Sequence, residues 1–347
     1  MRSRVFEITE PRKIEEVGRD VELQEGDLLL RPIFTGICKS DINYFEGRRP
    51  QNVLDSVYPL IPLHEAATEL LDADGLPTEK FFVPIPNMPC GQPNCPACQY
   101  GGRGDNYCPE TRFASSNADG FARAVFPYGK QRVVPIPNGV PLDIASLTEP
   151  LSIAFHAAEE AKLERGMEVC VIGDGPIGLM QSLVSNYKGI DVQDNGLLGV
   201  GVDKIRLAKE YASVRHTMDL PTVFEGQYDV VFECVGNHGQ GHVINQASRL
   251  LRPGGTVIVL GLSDEAQGIE LRPLMKKGII LKGLMRSRAE HFTSALDMLV
   301  DGFYASQARK IIGGAYPVRN AQEINSGFAN RYPVGRTLLD WRPMYSR

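Results

Sequence analysis

Apolar positions follow two different periods along the chain. From residue 1 to about 148 they fall in short runs broken by Gly and Pro, such as Asp27-Leu28-Leu29-Leu30-Arg31-Pro32 and Gln131-Arg132-Val133-Val134-Pro135. Short runs with frequent turn residues predict an irregular, mostly β domain. From 149 to 286 helical and strand periods alternate. An amphipathic helix over Ser152 to Lys162 leads into the apolar run Glu168-Val169-Cys170-Val171-Ile172, a glycine-rich turn and a second helix. Further apolar runs lie at Leu197–Val202, Asp229–Cys234, Thr256–Leu260 and Ile279–Leu281. Strands alternating with helices predict βαβ units and a parallel sheet, so the class is α/β. Residues 287–347 predict a helix over Ala289 to Val300 and then short strands again.

Composition narrows the function classes. The chain has 347 residues, a net charge of −5 and 43% hydrophobic residues, which excludes a disordered chain and argues against a general nucleic-acid binder. No apolar run approaches the ~18 residues of a membrane span. The charged segment Met1 to Arg12 has no apolar h-region, so a cytoplasmic location is expected. A reducing compartment leaves seven cysteines to be explained by something other than disulfides.

Gly173-Asp174-Gly175-Pro176-Ile177-Gly178 follows an apolar run and opens a helix. This is the setting in which a glycine turn cradles a dinucleotide pyrophosphate, as in a Rossmann domain. Cys234, Val235, Gly236 and Gly261, at the ends of later runs, are further candidates to line the cofactor. Asp203 near the end of the next run would suit the 2′-hydroxyl of NAD. Counting back from Arg206-Leu207 instead places the acidic position on Gly201, where no carboxylate repels a 2′-phosphate and Lys204 and Arg206 can hold it. NADP(H) is favoured over NAD(H) on that count, although both cations also suit a solvated helix start.

Cys90-x4-Cys95-x2-Cys98-x9-Cys108 is a four-thiolate set in a Gly/Pro-rich loop, suited to a closed structural zinc site. A redox pair at Cys95 and Cys98 would leave the other two cysteines unexplained. Cys38, His64, Glu65 and Glu149 carry donor types that suit an open zinc site. Taken singly they read as a core thiol, a satisfied histidine and a helix-start carboxylate.

The Gly36-x-Cys38-x-Ser40-Asp41 run, the His64-Glu65 pair, the four-cysteine loop, Glu149-Pro150-Leu151-Ser152 with His156-Ala157, and the glycine turn occur in an order that resembles the zinc-dependent medium-chain dehydrogenase/reductase family. The resemblance spans nearly the whole chain. It implies a GroES-like catalytic β domain over 1–148, completed by 287–347, and a Rossmann domain over 149–286. It implies two zinc ions per chain. Cys38, His64 and Glu149 are then catalytic zinc ligands, with Glu65 exchanging with water or standing beside the metal. Ser40 passes the alcohol proton, and Cys90, Cys95, Cys98 and Cys108 hold the structural ion. A zinc-bound alcohol or carbonyl would face the nicotinamide in an interdomain cleft, in a homodimer or homotetramer. The chain departs from the family at Leu63 and Glu69, where glycines are usual, and in its longer cysteine gaps.

Within the family, Arg31-Pro32, Tyr44-x-x-Gly47-x-Arg49, Asp119-Gly120-Phe121, Phe232-Glu233-Cys234-Val235-Gly236 and Arg286-Ser287 look most like the ribitol-5-phosphate dehydrogenases. That branch implies reduction of ribulose 5-phosphate with NADPH and a cytidylyltransferase as partner. Glu149-Pro150-Leu151-Ser152 is similar to sorbitol dehydrogenases as well. A dehydrogenase of an unphosphorylated polyol, amino alcohol or cyclitol is therefore the alternative. Lys39, Tyr44, Arg49 and Arg286 are the candidate substrate residues, because arginine grips phosphate bidentately and lysine acts as a point charge. The ordinary reading of these cations is surface charge. No nucleic-acid or membrane partner is expected.

Overall fold

The second half of the chain builds an all-parallel sheet of six strands. They are Val169–Ile172, Asn195–Gly199, Ser213–His216, Tyr228–Glu233, Leu251–Val259 and Ile280–Gly283, and their spatial order is 3-2-1-4-5-6. This is the order of the doubly wound dinucleotide-binding fold, with its switch point between the first and fourth strands. Cys170, Ile172, Leu198, Val231 and Val257 are buried in its core. Strands with helices on both faces need such near-continuous apolar runs. The computed structural model describes residues 1–100, 105–216 and 225–346.

The chain folds as two units: Met1–Ser152, Arg286–Asp301 and Ile312–Arg347 in one, Ile153–Met285 and Gly302–Ile311 in the other. The first unit is mostly antiparallel. Its main sheet runs Ile312–Pro317, Arg336–Asp340, Asp27–Gly36, Glu65–Leu71, Pro77–Pro84, Val133–Pro135, with Phe126–Gly129 paired to Asp27–Gly36. A hairpin of Arg2–Glu10 and Lys13–Asp20 packs beside it. Phe6, Ile8, Ile37, Phe45, Leu63, Phe328 and Trp341 share one core. Trp341 is fully buried, and its indole N–H donates to Thr35 Oγ1 at 2.9 Å.

The structure differs from the sequence reading at several points. The run at Leu197–Val202 is a strand only over Asn195–Gly199, and a helix already begins at Val202. Asp174 Oδ2 takes the amides of Val200 and Gly201 at 3.0 and 2.6 Å, so these amides face a side chain rather than a neighbouring strand. Among the described residues, 287–347 hold three further helices, Gly302–Lys310, Ala321–Ala329 and the short Arg342–Tyr345, where short strands alone were expected. Gly302–Lys310 belongs to the parallel-sheet unit rather than to the β unit. Tyr304 Oη donates to Asn186 Oδ1 at 3.2 Å, and Lys310 Nζ reaches Glu210 at 2.8 Å. At the other boundary, Glu149 to Ser152 lie with the β unit, although the helix Thr148–Glu160 runs on into its neighbour.

Candidate active site

The strands Asp27–Gly36 and Glu65–Leu71 pair antiparallel, with Gly36 opposite Glu65. This register brings the turn carrying Cys38 beside His64. Position 36 has room only for glycine, because a Cβ there would lie 2.2 Å from Glu65 Oε2. Cys38 sits at the N-terminus of the helix Lys39–Phe45, where its amide donates to Asp41 Oδ2 at 3.0 Å. The other oxygen of Asp41 accepts the Leu63 amide at 3.0 Å. One buried carboxylate thus ties the Cys38 turn to the His64 turn. Leu63, where the family resemblance leads one to expect glycine, has a left-handed backbone (φ 75°) and buries its side chain completely.

Cys38, His64 and Glu65 offer ligand atoms within 4.8 Å of one another. Glu65 Oε1 accepts from Arg336 Nη2 at 2.6 Å, while Oε2 is buried without a hydrogen-bond partner. Burial alone would lower His64, but Asp41 and Cys38 outweigh it and hold the imidazole well above its ordinary value. Burial raises Glu65 despite the guanidinium of Arg336. Burial likewise pushes Glu149 up to about 7, with the charges of Glu65 and Asp41 adding to it against His64 and Arg336. A half-buried thiol, a buried imidazole and an orphaned buried carboxylate oxygen, with further acidic groups nearby, fit a divalent cation such as zinc. Glu149 is buried and feels the charges of this set, but it is not one of the three groups drawn together. Ser40 is half-buried in the first helical turn, two residues past Cys38, and Lys39 is exposed.

The second cluster is the four-cysteine loop. The Sγ atoms of Cys90, Cys95, Cys98 and Cys108 all lie within 4.8 Å of one another. Cys90 to Cys98 and Cys95 to Cys108 are each 3.8 Å apart. Tetrahedral zinc with ~2.3 Å bonds to sulfur separates its ligands by about 3.8 Å, whereas a disulfide requires about 2.05 Å. The amide of Cys98 leads in pulling Cys95 down to about 7, while burial leads in pushing Cys98 up to about 12.

Around His64 stand the candidate substrate residues. The Tyr44 and Ser116 hydroxyls are 3.2 Å apart, and the Arg49 guanidinium lies 5.1 Å from the Tyr44 ring centre. Arg286, with a left-handed backbone (φ 64°), donates to the Asn106 carbonyl at 2.9 Å and lies 5.9 Å from the Phe113 ring centre. Phe113 in turn stands 5.4 Å from the His64 ring. Burial lowers Arg286 from its ordinary value, against the charge of Cys108.

In the parallel-sheet unit, Gly173 takes a φ of 130°, and a Cβ on it would meet the Cys234 backbone at 2.9 Å. A Cβ on Gly178 would lie 1.8 Å from the Gly173 carbonyl oxygen, whereas one on Gly175 would meet nothing within 4 Å. The outer glycines close the turn, and the middle one leaves a face open at the start of the helix Pro176–Tyr187. Ile177 follows Pro176 in that first helical turn and is half-buried. Glu233 is fully buried and accepts the amides of Val235 and Gly236 at 2.7 and 2.9 Å and that of Gly261 at 3.2 Å. It thereby holds two candidate cofactor loops together, beside Cys234. Asp174 bonds the Gly201 amide, and Lys204 Nζ stands 3.7 Å from it. Asp203 and Arg206 pair at 3.8 Å on the exposed helix face.

Sequence reading singled out neither Glu233, Arg336 nor Ser115 as a site residue, and it quoted Asp41 and Asp174 only as motif letters. Each acts through backbone amides or through a partner distant in the chain. The one available sign was the polar residue inside an apolar run at Phe232-Glu233-Cys234.

The 3-2-1-4-5-6 sheet with its glycine turn and, in the other unit, two clusters of metal-ligating side chains have the make-up of a zinc-dependent, NAD(P)-dependent dehydrogenase, and the chain is similar over most of its length to enzymes of that kind. Residues 201–301 match the family model described as zinc-binding dehydrogenase. Over 98% of both chains it is 28% identical to the ribulose-5-phosphate reductase of Streptococcus pneumoniae. Over 93% of this chain and 92% of the other it is 27% identical to the sorbitol dehydrogenase of Bacillus subtilis. The crystal structure of Staphylococcus aureus TarJ in complex with NADPH superposes with a TM-score of 0.81 at 23% identity, covering 98% of this chain and 99% of that one. Among the described residues no helix is long and apolar enough to cross a membrane.

The glycine turn generates a paired prediction. Gly175→Ala should melt like the wild-type protein yet bind the reduced dinucleotide at least tenfold more weakly by fluorescence titration. Gly178→Ala, which drives a Cβ into the Gly173 carbonyl, should lower the melting temperature as well. Equal behaviour of the two variants would show that the turn is not read correctly.

Proposed function

We propose that the chain reduces ribulose 5-phosphate to ribitol 5-phosphate with NADPH. The observation that carries this reading is the placement of two arginines near the Cys38–His64–Glu65 cluster. Arg286 reaches it through Phe113, and Arg49 through Tyr44 and the Ser115–Ser116 turn. A phosphate accepts charge-assisted bidentate bonds from guanidinium, whereas the neutral hydroxyls of a polyol accept only weaker single ones. Similarity along 98% of the chain to four ribulose-5-phosphate reductases, at 25–28% identity, supports the same substrate. NADPH is supported by Gly201, which brings no carboxylate of its own, and by Lys204 beside it. The neighbouring Asp174 carboxylate is already engaged by two amides.

In this reading Cys38 and His64, with Glu65 or Glu149, hold the catalytic zinc, and the four-cysteine loop holds a structural one. When bound, zinc supplies Lewis acidity at the ketone oxygen, and the reduced dinucleotide supplies the hydride. The Ser40 hydroxyl delivers the proton that the new alcohol oxygen takes up. Arg49, Tyr44 and Arg286, with Lys39 at the rim, orient the substrate by its phosphate. Glu65 and Arg336 keep the floor of the site charged but neutral in sum. Gly173 to Gly178 seat the pyrophosphate, and Cys234 to Gly236 with Gly261 border the nicotinamide half.

A spectrophotometric panel tests the reading. Ribulose 5-phosphate with NADPH should turn over far faster than with NADH, and far faster than sorbitol, xylitol or threonine in the oxidative direction. Preference for an unphosphorylated polyol would favour the sorbitol-dehydrogenase-like alternative. Metal analysis should give two zinc ions per chain. Cys38→Ala should retain one and lose turnover while still binding the dinucleotide.

The arginines can be tested apart from the metal. Arg49→Ala and Arg286→Ala should each raise KM for ribulose 5-phosphate by about ten- to a hundredfold, since a charge-assisted hydrogen bond contributes about 1.5–3 kcal/mol. kcat should change little, and the zinc content not at all. An unchanged KM in both variants would remove the phosphate site.

A homo-oligomer is part of the same proposal. The edge strand Ile280–Gly283 leaves Ile280 and Leu281 exposed, next to exposed Leu271 and Met275. An apolar, unpaired edge is a natural seam for a second copy. Ile280→Asp should sediment as a smaller species than the wild-type protein. Identical sedimentation would place the seam elsewhere.

A further inference from the structure

His64 Nδ1 faces two oxygens, one on Asp41 and a nearer one on Ser115. Both oxygens of Asp41 already accept amides, from Cys38 and Leu63 at 3.0 Å each, and Oδ1 stands 3.5 Å from His64 Nδ1. Ser115 Oγ is 2.7 Å from the same nitrogen. Ser115 is 1% exposed and has a left-handed backbone, φ 62°, which few non-glycine residues adopt. Its amide donates to the Ala118 carbonyl at 3.0 Å, and the next hydroxyl, on Ser116, meets Tyr44. The turn is therefore anchored on the helix that Cys38 begins.

We propose that Ser115 is a positioning residue for the metal held by His64. Its oxygen accepts the Nδ1–H bond, which fixes the proton on Nδ1 and turns the Nε2 lone pair toward the Cys38–Glu65 side, where Nε2 stands 4.0 Å from Glu65 Oε1. A metal-binding histidine needs its second nitrogen held, and loss of that hold weakens metal affinity about 10- to 100-fold. Asp41 sets the spacing of the two turns and lends its charge to the ring, and Ser115 supplies the nearer acceptor at Nδ1. The inference rests on the reading of Cys38 and His64 as metal ligands.

The test uses the full-length, zinc-loaded protein and follows zinc release to a chromogenic chelator. Cys38→Ala first identifies which release phase belongs to this site. Ser115→Gly and Ser115→Ala both remove the hydroxyl, but glycine accepts the left-handed backbone and alanine does not. Both should release zinc from this site about 10- to 100-fold faster, with the four-cysteine phase unchanged. After cobalt substitution the visible absorption of this site should shift in both variants. A wild-type release rate in Ser115→Gly would overturn the proposal, as would a loss confined to Ser115→Ala, which would trace the effect to the backbone. If Cys38→Ala removes no release phase, the metal reading itself fails, and that outcome appears before any Ser115 variant is made.

Discussion

Asp41 is the constraint on which the rest of the catalytic unit depends. Its carboxylate is fully buried, and its two oxygens take amides from turns 25 residues apart in sequence, those of Cys38 and Leu63. Burial would raise it, but the charge of His64 and the two amide bonds lower it below the ordinary carboxylate value. An ionised group without solvent is tolerated only when its lone pairs are used. Here they are used to set the distance between a thiol and an imidazole. The register of Gly36 against Glu65 adds the third donor, and the Arg336–Glu65 pair at 2.6 Å closes the floor.

The same device recurs in the parallel-sheet unit. Glu233 collects the amides of Val235, Gly236 and Gly261, and Asp174 collects those of Val200 and Gly201. In each case a carboxylate at the carboxyl end of a strand gathers the loops that leave the sheet. Parallel sheets place their ligand crevice at that end. Loops there have few ladder partners, so a buried acceptor replaces the missing ones. The four-cysteine loop solves the same problem differently. Among its described residues the strands are two residues long, Asn87–Met88 and Arg112–Phe113, and thiols converging at 3.8 Å stand in for a core.

Much of this was legible in the chain. The apolar runs at Glu168–Ile172, Asp229–Cys234 and Thr256–Leu260 announce buried parallel strands, and the Ala289–Val300 helix begins and ends where its amphipathic period does. The donors Cys38, His64 and the four loop cysteines are recognisable because few other roles suit those residue types together. The end of the strand at Gly199 and the helices Gly302–Lys310 and Ala321–Ala329 were not legible. The first depends on Asp174, which stands just past the end of the neighbouring strand and is distant in sequence. Gly302–Lys310 has a weak apolar face and is held by Asn186 and Glu210, far away in sequence.

By itself, then, the sequence determined the two kinds of domain, the glycine turn and the inventory of metal-binding donors, because periodicity and residue chemistry are local properties. Tertiary structure alone decided how those donors meet. It grouped Cys38 and His64 with Glu65 while leaving Glu149 outside that set, and it brought the Ser115 hydroxyl nearer to the His64 ring than Asp41. It also kept Leu63 left-handed where glycine is usual. The physical reason is that a buried polar atom takes whichever partner the packing brings within about 3 Å, and residues far apart in sequence supply that partner.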